Sequence, residues 1–270
     1  MPECVECKIT AEELCQKLTG KKILFYNIKE EFLKRTSGFT QHFRECVIKT
    51  VRSYGKKVIF ELDNDTLMIA SLGMTGRFQY KEEKHCHVTF TLEDDEKFYF
   101  NDPRRFGGLD VIPADQEAKY LSDLGPDILQ HALDNNWISN EKWTELYKPK
   151  LMRRKIFDIL LDQSIISGLG MYLVTDVLYY AGVYPLRLGN TITTEELELI
   201  RIHAHKVVLS SYQQKGLTIT DYISPSGNLG KYQAAIYGKY KDLNGYKVIH
   251  QKASNAKGAR TVHFVTEIQK

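Results

Sequence analysis

The chain has 270 residues, 43% hydrophobic and 11% aromatic, enough apolar material for one large domain or two of ordinary size. No run approaches the ~18 apolar residues of a membrane span and no apolar segment follows a basic start, so neither a spanning helix nor a secretory signal is expected. Net charge is only +3, yet from Lys231 to Lys270 eight Lys/Arg stand against two acids, a basic end that fits a polyanion contact as well as a solvated surface.

In chain order, Met1-Pro2-Glu3 comes first. Removal of Met1 leaves Pro2 with a free secondary amine, whose pKa near ~8 keeps part of it unprotonated and nucleophilic at neutral pH. Glu3 beside it is placed to move protons. The five cysteines, Cys4, Cys7, Cys15, Cys46 and Cys86, lie in the first third without a regular framework, which predicts free thiols and a reducing compartment. Cys4-x-x-Cys7 is half a zinc site without a second pair, so no metal is predicted there. Thr10-Ala-Glu-Glu-Leu14 reads as a helix N-cap with acids in the first turn, and Leu14, Leu18 and the Gly20 stop fit an amphipathic helix on a sheet.

Short β-branched or aromatic runs follow at Lys57–Leu62, Thr66–Ala70, His87–Leu92 and Lys97–Phe100. Asp63-Asn64-Asp65, Gly73, Gly76 and Glu93-Asp94-Asp95 punctuate them, which predicts an antiparallel sandwich or barrel. Beyond Leu124-Gly-Pro-Asp127 the apolar spacing becomes helical, near 141–148, 153–164, 172–182 and 195–214, with breaks at Gly168-Leu-Gly170 and Gly182-Val-Tyr-Pro185. After Gly230 strands return, with Tyr237-Gly238, Asn244-Gly245 and Lys257-Gly258 as turn signals. The expected division is a sheet domain over 1–130, a helical domain over 145–230 and a terminal hairpin over 231–270.

Four segments share one pattern: Met1-Pro-Glu3 with Glu6, Ser71-Leu-Gly-Met-Thr-Gly-Arg77, Asn101-Asp-Pro-Arg-Arg-Phe-Gly107, and Leu161 to Gly170 running into Ala181-Gly-Val-Tyr-Pro185. Together they resemble the formamidopyrimidine-DNA glycosylase and endonuclease VIII family of base-excision repair enzymes. The resemblance covers nearly the whole chain. It implies an α+β protein with an N-terminal antiparallel β-sandwich and a C-terminal helix-two-turn-helix domain ending in a β-hairpin finger. It further implies a bifunctional glycosylase and AP lyase that excises oxidised bases of the formamidopyrimidine and 8-oxoguanine class, through a Schiff base on an N-terminal proline followed by β,δ-elimination. No cofactor is implied. The implied partner is double-stranded DNA containing oxidised bases or abasic sites, bound by a monomer, in the nucleus if the source is eukaryotic and otherwise in the cytoplasm.

Residue by residue, the resemblance makes Pro2 the nucleophile, Glu3 the proton shuttle and Lys56 the lysine that grips the phosphate beside the lesion, with Lys57 an alternative for that role. Glu6 matches a second acid, for which a solvated helix-start position is equally consistent. Met74, Arg104 and Phe106 match the wedge that fills the gap left by an extruded nucleotide, a step that costs a few kcal/mol of stacking and pairing. Gly170 and Met171 fall at the helix start that receives a phosphate, where the family usually has Asn in place of Met171, so the side-chain contact is lost. Gln163 and Asp176 also match. Arg260 keeps the place of a phosphate-binding arginine. Val265 and Ile268 stand where the family has its last two zinc cysteines and the first pair is missing near Lys241–Val248, which implies a zincless finger. Tyr222–Gly230 matches a flexible stretch that closes over the flipped base, and an idle surface loop is equally consistent. The alternative reading is a DNA-binding protein of this fold that recognises damaged or abasic DNA without efficient chemistry, motivated by Met171, Cys4 and Val5. A more distant one is an RNA-binding module built on the helical hairpin, which leaves Pro2, Glu3 and the wedge unexplained.

Overall fold

Nine strands build the first half of the chain: β1 (Lys22–Ile28), β2 (Thr36–Ser37), β3 (Cys46–Tyr54), β4 (Lys57–Leu62), β5 (Thr66–Ser71), β6 (Arg77–Gln79), β7 (Cys86–Leu92), β8 (Lys97–Asn101) and β9 (Gly108–Pro113). The computed structural model describes residues 2–147, 153–218, 222–254, 256 and 259–270. Met1 and the turn expected at Lys257-Gly258 lie outside the described residues.

The strands run in the order β2-β9-β5-β4-β3-β1-β7-β8-β6. Only Lys22↔Val47 and Ile23↔Cys46 join β1 to β3, so the layer folds there into two facing sheets. Phe60 of β4 meets Phe78 of β6 at 5.3 Å and Phe98 of β8 at 6.1 Å between ring centroids, which places the core between the sheets. Each such fully buried aromatic contributes roughly 1.5–3 kcal/mol by leaving water. All pairings are antiparallel except the short β2–β9 contact, which is parallel. In β5, Leu67, Met68, Ile69 and Ala70 are all buried. Met68 and Ala70 face the main core, whereas Leu67 and Ile69 join Ile59 beneath Tyr54, Ile112, Tyr120 and Leu121.

The helix packed on this layer, α1 (Cys4–Leu18), differs from the expectation at its start. Its N-cap is Glu3 rather than Thr10, because a reciprocal capping box closes between Glu3 and Glu6. Thr10 sits mid-helix, its hydroxyl 2.9 Å from that of Tyr222. Two short α-helices, α2 (Phe39–His42) and α3 (Glu117–Tyr120), and 3-10 turns at Glu30–Arg35 and Ala114–Gln116 complete the elements of this half.

By contact density the chain divides into one unit of Met1–Asp123 with Gln214–Lys231 and another of Leu124–Gln213 with Tyr232–Lys270. The described residues of 214–231 therefore group with the sheet half, as Tyr222 and Leu217 show by bonding to α1.

The second unit holds α4 (Ile128–Leu133), α5 (Asn140–Tyr147), α6 (Ile156–Leu160), α7 (Met171–Tyr180) and α8 (Thr194–Gln213), then the hairpin β10 (Ile249–Lys252) and β11 (Thr261–Phe264). α7 is its central element, buried from Tyr172 through Tyr179. α6 is shorter than the segment 153–164 read from the spacing. The Asp162 carboxylate accepts from the Ser164 backbone N–H at 3.1 Å and its hydroxyl at 2.7 Å, offering the chain a turn in place of further helix. The last forty residues contain no cysteine. Ala235, Ile236, Val248 and Val265 instead pack with Tyr179 as a small apolar cluster. Asp242 accepts from Tyr179 Oη at 2.9 Å and from the backbone N–H groups of Asn244 and Tyr246, which closes the turn at Asn244-Gly245.

Candidate active site

At the start of α1 the structure buries Pro2 and both nearby carboxylates. Pro2 is buried, Glu3 is 1% exposed and Glu6 is fully buried. Two carboxylates this deep in one turn need donors, since an uncompensated buried charge is expensive. Glu6 Oε2 accepts the Glu3 backbone N–H at 2.8 Å, and its Oε1 accepts the Leu217 N–H at 3.0 Å. Gly216 has φ +88, a conformation that favours glycine, and a Cβ there would come within 2.8 Å of Glu6 Oε1. Glu6 is thus a buried clamp joining the helix start to residues 216–217, and its reading as a solvated acid is corrected. The clamp fixes the backbone of Glu3, and with it the direction of the neighbouring Pro2.

Residues from Tyr222 onward are tied to the same helix. Tyr222 Oη donates to the Glu6 carbonyl at 2.9 Å, and the Ser226 N–H donates to Glu13 Oε2 at 2.9 Å. A turn from Ser224 to Asn228 carries Ser226 at its centre. The described part of the Tyr222–Gly230 stretch is therefore fastened to α1 at two points.

Lys56 is part-exposed in the turn between β3 and β4. Lys57 is committed elsewhere. Its ammonium donates to Ser71 Oγ at 2.6 Å and lies 5.7 Å from the centre of the Tyr120 ring. Burial lowers its pKa, opposed by the Asp110 carboxylate.

The expected wedge residues lie on two loops that the structure welds together. Met74 follows β5, and Arg104 and Phe106 precede β9. A Cβ on Gly73 would sit 2.6–2.8 Å from the Phe106–Gly107 backbone, and Gly73 has φ +61, so both space and conformation demand glycine. The fully buried Asp102 holds the pair. Its Oδ1 accepts from Thr75 Oγ1 at 2.5 Å and the Arg104 N–H at 3.3 Å, and its Oδ2 accepts the Gly107 N–H at 2.7 Å. Behind it, Nε2 of buried His87 lies 3.0 Å from the Asp102 carbonyl, and the ring stacks on Phe32 at 4.9 Å. Phe106 stays 49% exposed with the Arg104 guanidinium 4.8 Å from its ring centre. A planar cation beside an exposed aromatic ring suits contact with bases. The sequence pattern includes Asp102 in its motif without giving it a role. A signal is nevertheless present in the Asp-Pro dipeptide, a turn former whose side chain bonds backbone N–H groups nearby.

In the second unit, Gly170 is the extended N-cap of α7 and Met171 its half-buried first residue. That helix start presents the positive end of the macrodipole. Gln163 shapes the approach: its Oε1 accepts the Gly168 N–H at 3.0 Å, and its Nε2 donates to the carbonyls of Leu161 and Leu169 at 2.9 Å each. Asp176 is buried and accepts from Tyr232 Oη at 2.8 Å, the Ala235 N–H at 2.8 Å and the Ile236 N–H at 3.3 Å. Burial raises its pKa while those donors oppose the rise. Asp176 therefore fastens residues 232–236 to α7. Arg260 is exposed, immediately before β11, and its carbonyl accepts the Ala253 N–H at 2.8 Å. The structure thus gathers Pro2, Glu3, Lys56, Met74, Arg104 and Phe106 in one unit and Gly170, Met171 and Arg260 in the other. Among the described residues no group of three or more His, Cys, Asp or Glu could hold a metal ion.

Comparison with known proteins matches both halves of the chain to known domains. Residues 1–109 match the formamidopyrimidine-DNA glycosylase N-terminal domain and residues 124–222 match the formamidopyrimidine-DNA glycosylase H2TH domain. The chain is 30% identical over 248 residues to the formamidopyrimidine-DNA glycosylase of Wolbachia pipientis subsp. Culex pipiens, covering 88% of this chain and 89% of that one. The corresponding protein of Oceanobacillus iheyensis is 30% identical over 250 residues, covering 88% and 86%. Among solved structures, MutM (Fpg) of Thermus thermophilus superposes with a TM-score of 0.87 at 26% identity, covering 99% of this chain and 98% of that one. A Lactococcus lactis FPG mutant in complex with Fapy-dG containing DNA superposes with a TM-score of 0.87 at 25% identity over all of both chains. The sandwich, the helix-two-turn-helix domain and the two matched domains together show that the chain belongs to the formamidopyrimidine-DNA glycosylase family.

Proposed function

We propose that this DNA glycosylase removes oxidised purines and formamidopyrimidines from duplex DNA and then cleaves the strand as an AP lyase, using Pro2 as nucleophile. The observation that carries the reading is the buried Pro2-Glu3 pair at a helix start clamped by Glu6.

With Met1 removed, the Pro2 nitrogen attacks C1′ and the glycosidic bond breaks, its electron pair leaving with the base, which takes up the proton the new ammonium sheds, so the nitrogen regains its lone pair. The C1′–O4′ bond then opens. The nitrogen lone pair forms the C1′=N⁺ bond, and Glu3 supplies the proton that O4′ needs as it departs. The iminium withdraws electrons from C2′, so loss of a C2′ proton expels the 3′ phosphate, and a second elimination expels the 5′ phosphate. Water then hydrolyses the imine and frees the amine.

Lys56, part-exposed where Lys57 is engaged, suits a phosphate contact near the reacting sugar. Met74, Arg104 and Phe106, on loops held by Asp102, replace the stack of the extruded nucleotide. Gly170 and Met171 offer a phosphate the backbone of a helix start and no side-chain donor, since a thioether has none. Arg260 adds an exposed cation for the backbone. The terminal hairpin is read as a finger held by packing and by Asp242 instead of zinc. The protein is read as acting as a monomer.

Duplexes carrying 8-oxoguanine, a formamidopyrimidine or an oxidised pyrimidine at one position test the activity and the preference together. Faster cutting at the purine lesions, leaving phosphates on both ends of the gap, is the expected result. A strong preference for the oxidised pyrimidine would overturn the substrate class. Tight lesion binding without cutting would favour a damage-binding protein of the same fold.

A further inference from the structure

The hairpin closed by Asp242 carries a surface that none of the chemistry above uses. Tyr240 is 82% exposed, Leu243 76% and Tyr246 45%, an unusual density of solvent-facing apolar groups within seven residues. Lysines interleave with them. Lys241 and Lys247 pair directly across the hairpin and are exposed, and Lys239 precedes them. Asp242 is the sole carboxylate between Lys231 and Thr266 in the sequence, and it is 8% exposed with its oxygens taken by Tyr179, Asn244 and Tyr246. The exposed charge of this hairpin is therefore entirely positive.

Tyr240 is also held in place. Its ring stacks on His250 at 5.5 Å between centroids and 8° between planes. His250 Nε2 is fixed 2.7 Å from the Lys239 carbonyl, and the His263 ring backs His250 edge-on at 4.4 Å. One face of the tyrosine is thus supported from below, and its high exposure leaves the other to solvent. A preordered aromatic face beside lysines fits a splayed base next to its phosphates. In a duplex every base face is already covered by its neighbours, so the ligand that fits such a platform is a single strand.

We infer that residues 239–250 form an auxiliary binding surface for single-stranded DNA, with a base stacked on Tyr240, a second apolar contact at Tyr246 and Leu243, and phosphates on Lys241 and Lys247. This surface is independent of lesion excision and is read by binding alone.

Fluorescence anisotropy of a labelled oligothymidine with the full chain, at several salt concentrations, tests it. Tyr240→Ala is expected to weaken binding about tenfold, the size of one lost base–aromatic stack, whereas Tyr240→Phe keeps the platform and stays within about twofold. Lys241→Ala with Lys247→Ala is expected to flatten the slope of log affinity against log salt by about 1.4, the value for two single-strand phosphates. Cleavage of lesion-bearing duplex is expected to be unchanged in all three variants. Unaltered oligothymidine binding by Tyr240→Ala, an equal loss of affinity for undamaged duplex, or no oligothymidine binding by the parent chain at low salt would each overturn the inference.

Discussion

Glu3→Gln slows excision of 8-oxoguanine from duplex DNA by on the order of 10²–10⁴-fold, the range a positioned general acid supplies. The fold survives the change. A glutamine oxygen still accepts the backbone N–H that closes the capping box, and the Glu3 N–H still donates to Glu6. What the amide lacks is the proton for O4′. At a preformed abasic site the sugar already opens to an aldehyde in water, so imine formation and strand cleavage there fall far less than excision does. Single-turnover rates on the two substrates measure that split. Equal losses on both would move Glu3 from proton transfer to positioning, and no loss on either would remove it from the chemistry.

Asp102→Ala is expected to destabilise the chain and disable the wedge at once. The buried carboxylate accepts one hydroxyl and two backbone N–H groups from both wedge loops. The buried Gly107 N–H is left unpaired, at a cost of roughly 1–3 kcal/mol, while the Arg104 N–H keeps Thr75 Oγ1 at 3.2 Å and the Thr75 hydroxyl is only part-buried, so a net loss of about 2–3 kcal/mol follows. Asp102→Asn offers only partial rescue, because its amide nitrogen would confront either the Gly107 N–H or the Arg104 N–H with a second donor. With the loops released, Met74, Arg104 and Phe106 lose their shared geometry, and excision from duplex is expected to fall by about ten- to a hundredfold, the few kcal/mol of extrusion no longer being offset. Cleavage of an abasic site in a single strand, where no stack needs replacing, is retained. Urea unfolding and cleavage of the two substrates check both parts. Full duplex activity in the Asp102→Ala variant would show that the wedge is held by something else.

The sandwich was legible because its strands alternate and its turns are marked by Asp, Asn and Gly. Less legible was β5, where Leu67 and Ile69 are buried on the outer face by Ile112, Tyr120 and Leu121, residues more than forty positions later. The start of α1 was misplaced because a capping box built on Glu3 lacks the Ser or Thr that usually signals one, whereas Thr10 supplies that signal and spends its hydroxyl on Tyr222. Pro2 and Glu3 stand out in the sequence as an imino acid beside a carboxylate, and the structure buries both at the start of α1. The clamp by Glu6 could not be read there, because its partners, Gly216 and Leu217, are some 210 residues away and no local pattern encodes the contact. In the same way, Asp176 was visible as an acid on a helix, but its donors lie more than fifty residues beyond it.

Borohydride reduction of the purified protein mixed with an 8-oxoguanine or abasic duplex tests the central claim most directly. A covalent protein–DNA adduct that peptide mapping places on the Pro2 nitrogen, lost when Met1 is retained, is the predicted result. An adduct on a lysine, or tight binding with no adduct at all, would contradict the account.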